Sequence, residues 1–567
     1  MHDDFPGSVF RRRTILQSIA ALTLAPVLSD LALGSEGSGD VAARKSRRLR
    51  IDRNFVLFPI NNESLSRRVR LVKDGRVLRS FTASLGLPAR WWAHLDVSAW
   101  QGQTLSLSVE PDNSPSVLAA EIPGRGASET DNAELVAAIR TSAEIWSPET
   151  LYKEPLRPAF HFTSRRGWNN DPNGLMYHAG QYHLFFQHNP YGVRWGNMHW
   201  GHAVSTDLVH WKELPIALYP HGDDDFPFSG SGAVDHENTS GWGKNGRPPM
   251  VIAFTSTGRG ECIAYSEDDG ATWKEFDGNP VVKHSGRDPK LLWHPQTKQW
   301  VMAVYSERPG ADPAAPKREG IAFYTSADLK SWQERSWIEG YYECPDLFAL
   351  PIDGDANRTK WVLSCAPSYY CIGEFDGSRF IPESPQLPAP AGGGSNAQGP
   401  LAAPFPLFYA AQTFSDHPQG HRVQIAWGRV EAVDAPFTQL MSFPTALSLR
   451  TTSEGVRLCR EPVEAIRSLR AHTYDLPAGP LTPSPLLTDL KGEAWDIEAV
   501  IRVGTVSPIL MSIGGDEYVY QSASQMLSGP RGAMPIPLTD GRLQLRVLVD
   551  RTTVEIFGDR GQAYGMF

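Results

Sequence analysis

Apolar and polar positions alternate from about Leu49 to Glu110, as in Arg68-Val69-Arg70-Leu71-Val72 and Leu105-Ser106-Leu107-Ser108-Val109. Turn signals such as Lys73-Asp74-Gly75 separate these runs. A period of two turns one face of a strand to a core and the other to water, so residues 49–125 predict a small β domain. No cluster of acids or histidines in it suggests chemistry, which leaves it an accessory role. Residues 126–154 read as a polar connector with one short helix near Ala133–Ser142.

The next segment repeats itself. Ser205-Thr206-Asp207 is followed by Trp211, Ser266-Glu267-Asp268 by Trp273, and Ser326-Ala327-Asp328 by Trp332. Each unit follows a β-rich run such as Ile321-Ala322-Phe323-Tyr324, and the tryptophans stand 62 and 59 residues apart. Strand–turn–tryptophan units at this spacing predict propeller blades, none of which can bury its faces alone. Residues 155–450 hold roughly five periods of about 60, hence five blades. Chance recurrence of a Ser-x-Asp turn is the bland alternative, and near-even spacing argues against it. After Arg450 alternation returns in Trp495–Val503 and Leu543–Val549 and leads into Thr553-Val554-Glu555-Ile556-Phe557. Residues 451–567 therefore predict a β-sandwich. The expected class is all-β throughout.

Composition sharpens this picture. At 567 residues the chain exceeds the roughly 250–300 that one core supports, so several domains are needed. With 41% hydrophobic and 21% charged residues, the chain can build cores, which excludes wholesale disorder. Gly 50 and Pro 45 favour turns over long helices. A net charge of −9 argues against nucleic acid as a partner. The five cysteines are scattered with no CxxC pair, so neither a disulfide framework nor a structural zinc site is expected. Phe10-Arg11-Arg12-Arg13-Thr14-Ile15-Leu16-Gln17 precedes a mostly apolar run to Leu33. That pattern reads as a twin-arginine-type export signal over residues 1–34. Pro26 and Asp30 interrupt the run, which falls short of the roughly 20 apolar residues of a membrane span. Residues 35–48, with Arg44-Lys45-Ser46-Arg47-Arg48, read as a solvated linker.

Three acids sit in unusual company. Asp171 lies in Trp168-Asn169-Asn170-Asp171-Pro172-Asn173-Gly174, Asp288 in Gly286-Arg287-Asp288-Pro289, and Glu343 in Tyr341-Tyr342-Glu343-Cys344-Pro345-Asp346. Each stands near a proline expected to stiffen a loop, and none belongs to a charge run. Taken singly, each is more simply a turn or capping residue. Together, on successive blades whose inner ends converge on one axis, they supply what glycoside cleavage needs. One carboxyl protonates the leaving oxygen while another attacks or activates water.

These motifs resemble glycoside hydrolase family 32, the invertase, inulinase and levanase family of β-fructofuranosidases. The resemblance runs on through Phe185-Phe186-Gln187-His188-Asn189-Pro190, Trp195-Gly196-Asn197-Met198-His199-Trp200-Gly201-His202, Phe228-Ser229-Gly230-Ser231, Arg287-Asp288-Pro289 and Glu343-Cys344-Pro345. It covers about residues 155–567, leaving 49–125 as an addition. It implies a five-bladed propeller followed by a β-sandwich. It makes Asp171 the nucleophile, Glu343 the acid/base and Asp288 the transition-state stabiliser beside Arg287. Asn170, Gln187, Trp195, Phe228 and Ser229 match positions lining the pocket for a terminal fructose, with Trp168 nearby. A retaining mechanism through a covalent fructosyl-enzyme follows, with no cofactor and with fructan or sucrose as substrate. On this reading neighbouring carboxylates should raise Glu343, while amide donors such as Asn170 and Asn173 keep Asp171 ionised.

There are departures. Ala403-Pro404-Phe405-Pro406-Leu407 precedes Phe408-Tyr409-Ala410-Ala411-Gln412, where the family generally carries an acid. The chain stops at Phe567, where the sandwich of relatives continues, so a final strand is open to being missing. His199 and His202 lack further ligands at metal spacing and are expected to pack or hydrogen-bond. Cys344 has no orienting base and is expected to belong to the acid's surroundings. The rival readings are a fructosyltransferase, an endo-levanase, an inverting arabinanase-like enzyme and a non-catalytic fructan-binding protein. Export, the added β domain and a funnel that admits one chain end together point to exo action on polymers.

Overall fold

The alternating N-terminal runs form two antiparallel sheets in a computed structural model that describes residues 45–112, 132–145, 152–312, 315–366, 369–388, 407–432, 434–480, 490–504 and 508–567. The export signal read at 1–34 lies outside these residues. One sheet has the order Lys45–Arg50, Thr104–Pro111, Arg67–Lys73, Arg76–Ala83; the other has Trp91–Asp96, Phe55–Ile60, Arg140–Ser142. Val69, Leu71, Leu105, Leu107 and Val109 turn inward and share one core with Phe58, Ala93 and Leu95.

Two boundaries differ from the sequence reading. Lys45–Arg50, read as the end of a solvated linker, is an edge strand paired with Thr104–Pro111. Its arginines fit there because charge blunts an exposed sheet edge, while Leu49 fills the core. The residues read as a connector include helix Asn132–Ala138 and strand Arg140–Ser142, which pairs with Phe55–Ile60. Leu135, Val136 and Ile139 are buried in the N-terminal core, an apolar contribution too short to register as a periodic run.

Five consecutive four-stranded antiparallel units follow. Their innermost strands are Gly167–His178, Pro227–Val234, Gly286–His294, Asp346–Ile352 and Phe408–Thr413. The ring closes where Phe437–Thr438 pairs in parallel with Gly167 and Trp168. Polar groups stitch the inner strands together. The Gly230 amide donates to Asn173 Oδ1 at 3.2 Å and the Ser231 hydroxyl to the Pro289 carbonyl at 2.8 Å. Lys290 Nζ lies 2.7 Å from Asp346 Oδ1, and the Thr413 amide donates to Asp346 Oδ2 at 2.8 Å.

The tryptophan repeat has a clear job. Each of Trp211, Trp273 and Trp332 donates its indole N–H to the carbonyl three residues before it, on Leu208, Gly270 and Leu329. Those three residues all have positive φ, at 71°, 87° and 64°. The indole thus closes the corner between third and fourth strands.

The last strand of the fifth unit, Gly455–Pro462, pairs with Thr445–Thr452, so this unit runs past Arg450. Beyond it stand two four-stranded sheets, one of Trp495–Arg502, Arg542–Val549, Val554–Gly558 and Ala563–Met566, the other of Ile509–Ile513, Asp516–Gln521, Met526–Gly529 and Gly532–Pro535. Leu548, Phe557, Tyr564 and Met566 bury against Phe408, Val423, Ile425 and Phe443, which welds the sandwich to the propeller. Among the described residues no helix is long and apolar enough to cross a membrane.

Candidate active site

Four inner strands break register close to their beginnings, between Asn169 and Pro172, Pro227 and Gly230, Arg287 and Lys290, and Tyr409 and Gln412. A bulge of this kind bends the strand and re-aims its side chains. Asp171, Ser229 and Asp288 all fall inside these breaks. The sequence reading put Asp171 and Asp288 in proline-stiffened loops, whereas both lie within strands, at bulges where a proline costs no ladder hydrogen bond. Glu343 does lie in a loop, directly before strand Asp346–Ile352. Asp288, Cys344 and Ala410 hold positive φ of 66°, 52° and 50°. Backbone strain of this sort persists where the surrounding structure enforces it, and three instances lie at or beside the acids.

The three carboxyls share neighbours. Asp171 Oδ2 accepts from the Ser229 hydroxyl at 2.6 Å, and Oδ1 accepts from Asn170 Nδ2 at 3.4 Å. The Cys344 thiol reaches both aspartates, 3.8 Å from Asp171 Oδ2 and 3.5 Å from Asp288 Oδ2. The Cys344 amide donates to Asp288 Oδ2 at 3.1 Å. Arg287 spans the other pair: its Nε lies 3.7 Å from Asp288 Oδ2 and donates to Glu343 Oε2 at 2.9 Å. A second guanidinium nitrogen donates to the same Glu343 oxygen at 2.6 Å. The other carboxylate oxygen of Glu343 accepts from the Tyr409 hydroxyl at 2.5 Å. Tyr305 and Tyr342 flank the guanidinium, their ring centres 4.7 and 5.6 Å away.

Burial raises Asp171 to about 6, against the opposing Ser229 hydrogen bond, with the Glu343 charge adding to the rise. Burial likewise raises Asp288; Arg287 opposes, and the charges of Glu343 and Asp171 add to it. Asp171 was expected to be held ionised by amides. The structure differs, because desolvation outweighs one hydroxyl and one distant amide. The Cys344 thiol is driven well above its ordinary range by burial and three neighbouring carboxyls, which makes it a poor nucleophile.

Around the acids, Trp195 and Phe228 meet edge to face at 6.0 Å, and Trp168 meets Trp427 at 6.0 Å. Gln187 Nε2 donates to the Pro227 carbonyl at 2.9 Å, which fixes its amide beside Phe228. Trp168 Nε1 and Asn170 Oδ1, on the strand that carries Asp171, are buried without a partner in the protein. A buried donor and acceptor left open in this way call for a polar ligand. Gly230 follows Ser229 because a Cβ there would stand 2.0 Å from the Ala253 carbonyl oxygen. His199 and His202 are packed and bonded: His202 lies 3.0 Å from His183 Nδ1 and stacks on Phe185 at 4.0 Å, while His199 bonds the Asn197 carbonyl. Among the described residues no group of three or more His, Cys, Asp or Glu is placed to hold a metal ion.

Sequence reasoning missed Tyr409, Tyr342, Tyr305 and Trp427. Tyr409 lay in a motif already noted, Phe408-Tyr409-Ala410-Ala411-Gln412, yet nothing local shows that it reaches an acid 66 residues away.

The family model described as the glycosyl hydrolases family 32 N-terminal domain matches residues 161–462, and the family 32 C-terminal model matches 463–564. A levanase from Bacillus subtilis is 34% identical over 470 residues, covering 73% of this chain and 66% of that protein, just under two thirds of its length. An extracellular exo-inulinase from Aspergillus ficuum is 31% identical over 495 residues, covering 72% of this chain and 89% of that protein. Among solved structures, a fructofuranosidase from Schwanniomyces occidentalis complexed with fructose matches with a TM-score of 0.60 at 27% identity, covering 74% of this chain and 92% of that one. Exo-inulinase from Aspergillus awamori matches with a TM-score of 0.59 at 28% identity, covering 73% and 93%.

Proposed function

Because the chain belongs to glycosyl hydrolase family 32, we propose that it is an exported, retaining β-fructofuranosidase that removes terminal fructosyl residues from fructans and from sucrose. Relatives described as levanase, exo-inulinase and invertase support the substrate class. One observation carries the mechanism: Asp171 and Asp288 meet at the Cys344 thiol, and Asp288 and Glu343 meet at Arg287, so the three carboxyls form one cluster.

In the first step Glu343 gives its proton to the departing glycosidic oxygen while an Asp171 oxygen bonds the anomeric carbon. In the second, Glu343 takes a proton from water, which displaces Asp171 and frees fructose of retained configuration. Ser229 holds the attacking carboxylate in place, and Arg287 with Tyr409 orients Glu343. Asp288 holds sugar hydroxyls beside them. Trp168 Nε1 and Asn170 Oδ1, both unpaired in the protein, and Gln187 Oε1 are the hydroxyl readers, while Trp195 and Phe228 make the apolar wall.

The product profile at low conversion from levan, inulin and sucrose tests the reading. Free fructose alone supports exo hydrolysis; oligosaccharide ladders mean endo cleavage, and lengthening products from sucrose mean a transferase. Asp171→Ala and Glu343→Ala should each abolish hydrolysis. Only Glu343→Ala should keep activity on a donor whose leaving group needs no protonation, and equal residual rates would overturn the role assignment. The resemblance at Arg11–Arg13 and an extracellular relative support export. Replacing those arginines with lysine should leave the enzyme in the cytoplasmic fraction.

A further inference from the structure

We propose that the N-terminal β domain is a positioning element of the fructosyl site: it holds the loops that present Trp195 and Phe228, and so sets how tightly the terminal fructosyl ring is held. This rests on the reading of the pocket given above. The domain sits on the face of the propeller where the inner strands begin. Two loops of that face end on the apolar wall. Residues 190–198 carry Trp195, and residues 219–226 lead directly into strand Pro227–Val234, which carries Phe228 and Ser229.

The N-terminal domain grips both. Tyr191 of the first loop is buried in the N-terminal core, its ring stacked on Phe81 at 3.7 Å. Asn197, two residues past Trp195, takes a left-handed φ of 44° and pairs with the backbone of Thr82 in both directions. Its Oδ1 accepts from the Thr82 amide at 2.9 Å, and its Nδ2 donates to the Thr82 carbonyl at 2.8 Å. The same Nδ2 donates to Asn189 Oδ1 at 3.1 Å, and Asn189 Nδ2 donates to the Arg194 carbonyl at 2.8 Å, so the loop is tied on both sides of Trp195. On the second loop Asp223 accepts from Arg68 at 2.7 Å, Arg70 at 3.1 Å and Ser80 at 2.5 Å, all on N-terminal strands. Arg79 lies over the Tyr219 ring at 4.0 Å.

Trp195 is 49% exposed and its ring leans edge to face on Phe228, so packing fixes it only in part. Its place depends also on where the loop backbone is anchored, and half of those anchors belong to the added domain. A module serving only attachment or solubility has no use for a two-way amide pairing beside a pocket residue.

The test is a double-mutant cycle with Trp195→Ala and Asn197→Ala, reading kcat and KM on levan and sucrose. Asn197→Ala should raise KM for levan and for sucrose about tenfold with kcat within about twofold, since slight misplacement of a positioning group weakens substrate capture. It should add nothing on top of Trp195→Ala, because it acts through that ring. Should Asn197→Ala fail to fold, Arg68→Ala with Arg70→Ala frees Asp223 from outside the propeller, and Phe228→Ala is then the partner. Additive effects, or an equal fall in kcat on every substrate, overturn the proposal. Wild-type enzyme that frees no fructose rejects the functional reading instead, so the two failures are distinct.

Discussion

Desolvation governs the behaviour of Asp171, the proposed nucleophile. Asp171 is half-buried, and burial lifts it from 3.8 to about 6 while Ser229 pulls it down. As the proposed nucleophile it has to be ionised to attack, so kcat/KM should fall on the acid side with an apparent pKa near 6. Ser229→Ala removes the hydrogen bond that favours the charge, and the acid limb should move to higher pH; a limb that stays put would assign it to another group. The same shift has a stability sign. The unfolded carboxyl ionises near 3.8 and the folded one near 6, so above pH 6 the fold carries the whole cost of the buried charge. Roughly two pKa units correspond to about 3 kcal/mol at most, less what solvent in the funnel screens. Asp171→Asn should therefore abolish activity and raise the unfolding temperature at pH 7, and the gain should vanish below pH 4. Asp171, Asp288, Glu343 and Arg287 were legible as residues because acids and an arginine beside prolines stand out locally. Tyr409 was not, since its only distinction is the carboxylate it reaches.

At the level of elements, the bulges and the corners divide the labour within each unit. Bulges at the start of the inner strands bring Asp171, Ser229 and Asp288 into one cluster, while the Ser-x-Asp corners lie at the opposite ends of the strands. Ser205 Oγ accepts from the Leu208 amide at 2.8 Å, Ser266 Oγ from Gly270 at 2.9 Å, and Ser326 Oγ from Asp328 at 3.2 Å. All three serines are buried. Each Ser→Ala change leaves an amide short of its partner and should cost about 1 kcal/mol, and the three should add, since each corner belongs to a separate unit. Thermal unfolding should show a stepwise loss while kcat and KM stay in place. A fall in activity would mean that the corners reach the site. The corners could be read from sequence because side chain and backbone partner lie within a few residues. The bulges could not, because a bulge is defined against the strand beside it.

Across the whole molecule, the propeller and sandwich are joined by a buried ionic cluster. His161 Nδ1 lies 2.8 Å from Asp550 Oδ2 and its Nε2 3.4 Å from Glu555 Oε1. Asp550 also accepts the amides of Ala159 at 2.6 Å and Phe160 at 3.1 Å. Burial alone would lower His161, but its hydrogen bond to Asp550 and the nearby Glu555 carboxylate outweigh burial and raise it to about 9. Burial would raise Asp550, and the His161 bond wins there too, lowering it to about 2. A histidine raised in the fold stabilises fully below its unfolded value of 6.5 and loses that contribution as pH climbs through 9. Asp550 contributes above 3.8 and loses it toward 2. The wild-type unfolding temperature should thus decline from pH 6.5 to 9.5. His161→Gln should start lower and run flatter across that range; parallel curves would show that the histidine is neutral in the fold.

The chain's own pattern determined the all-β class, the repeat near 60 residues and the three acids, because alternation, spacing and residue chemistry are local properties. Tertiary structure alone decided the rest. It recruited Leu135, Val136 and the short strand Arg140–Ser142 from an apparent connector, since seven apolar-tinged residues gain their worth only against a core supplied by Phe58 and Leu105. It brought Tyr409 to Glu343 and the Cys344 thiol between two aspartates. It also set which carboxyls are raised, because desolvation is a property of everything packed around a group and not of its neighbours in sequence.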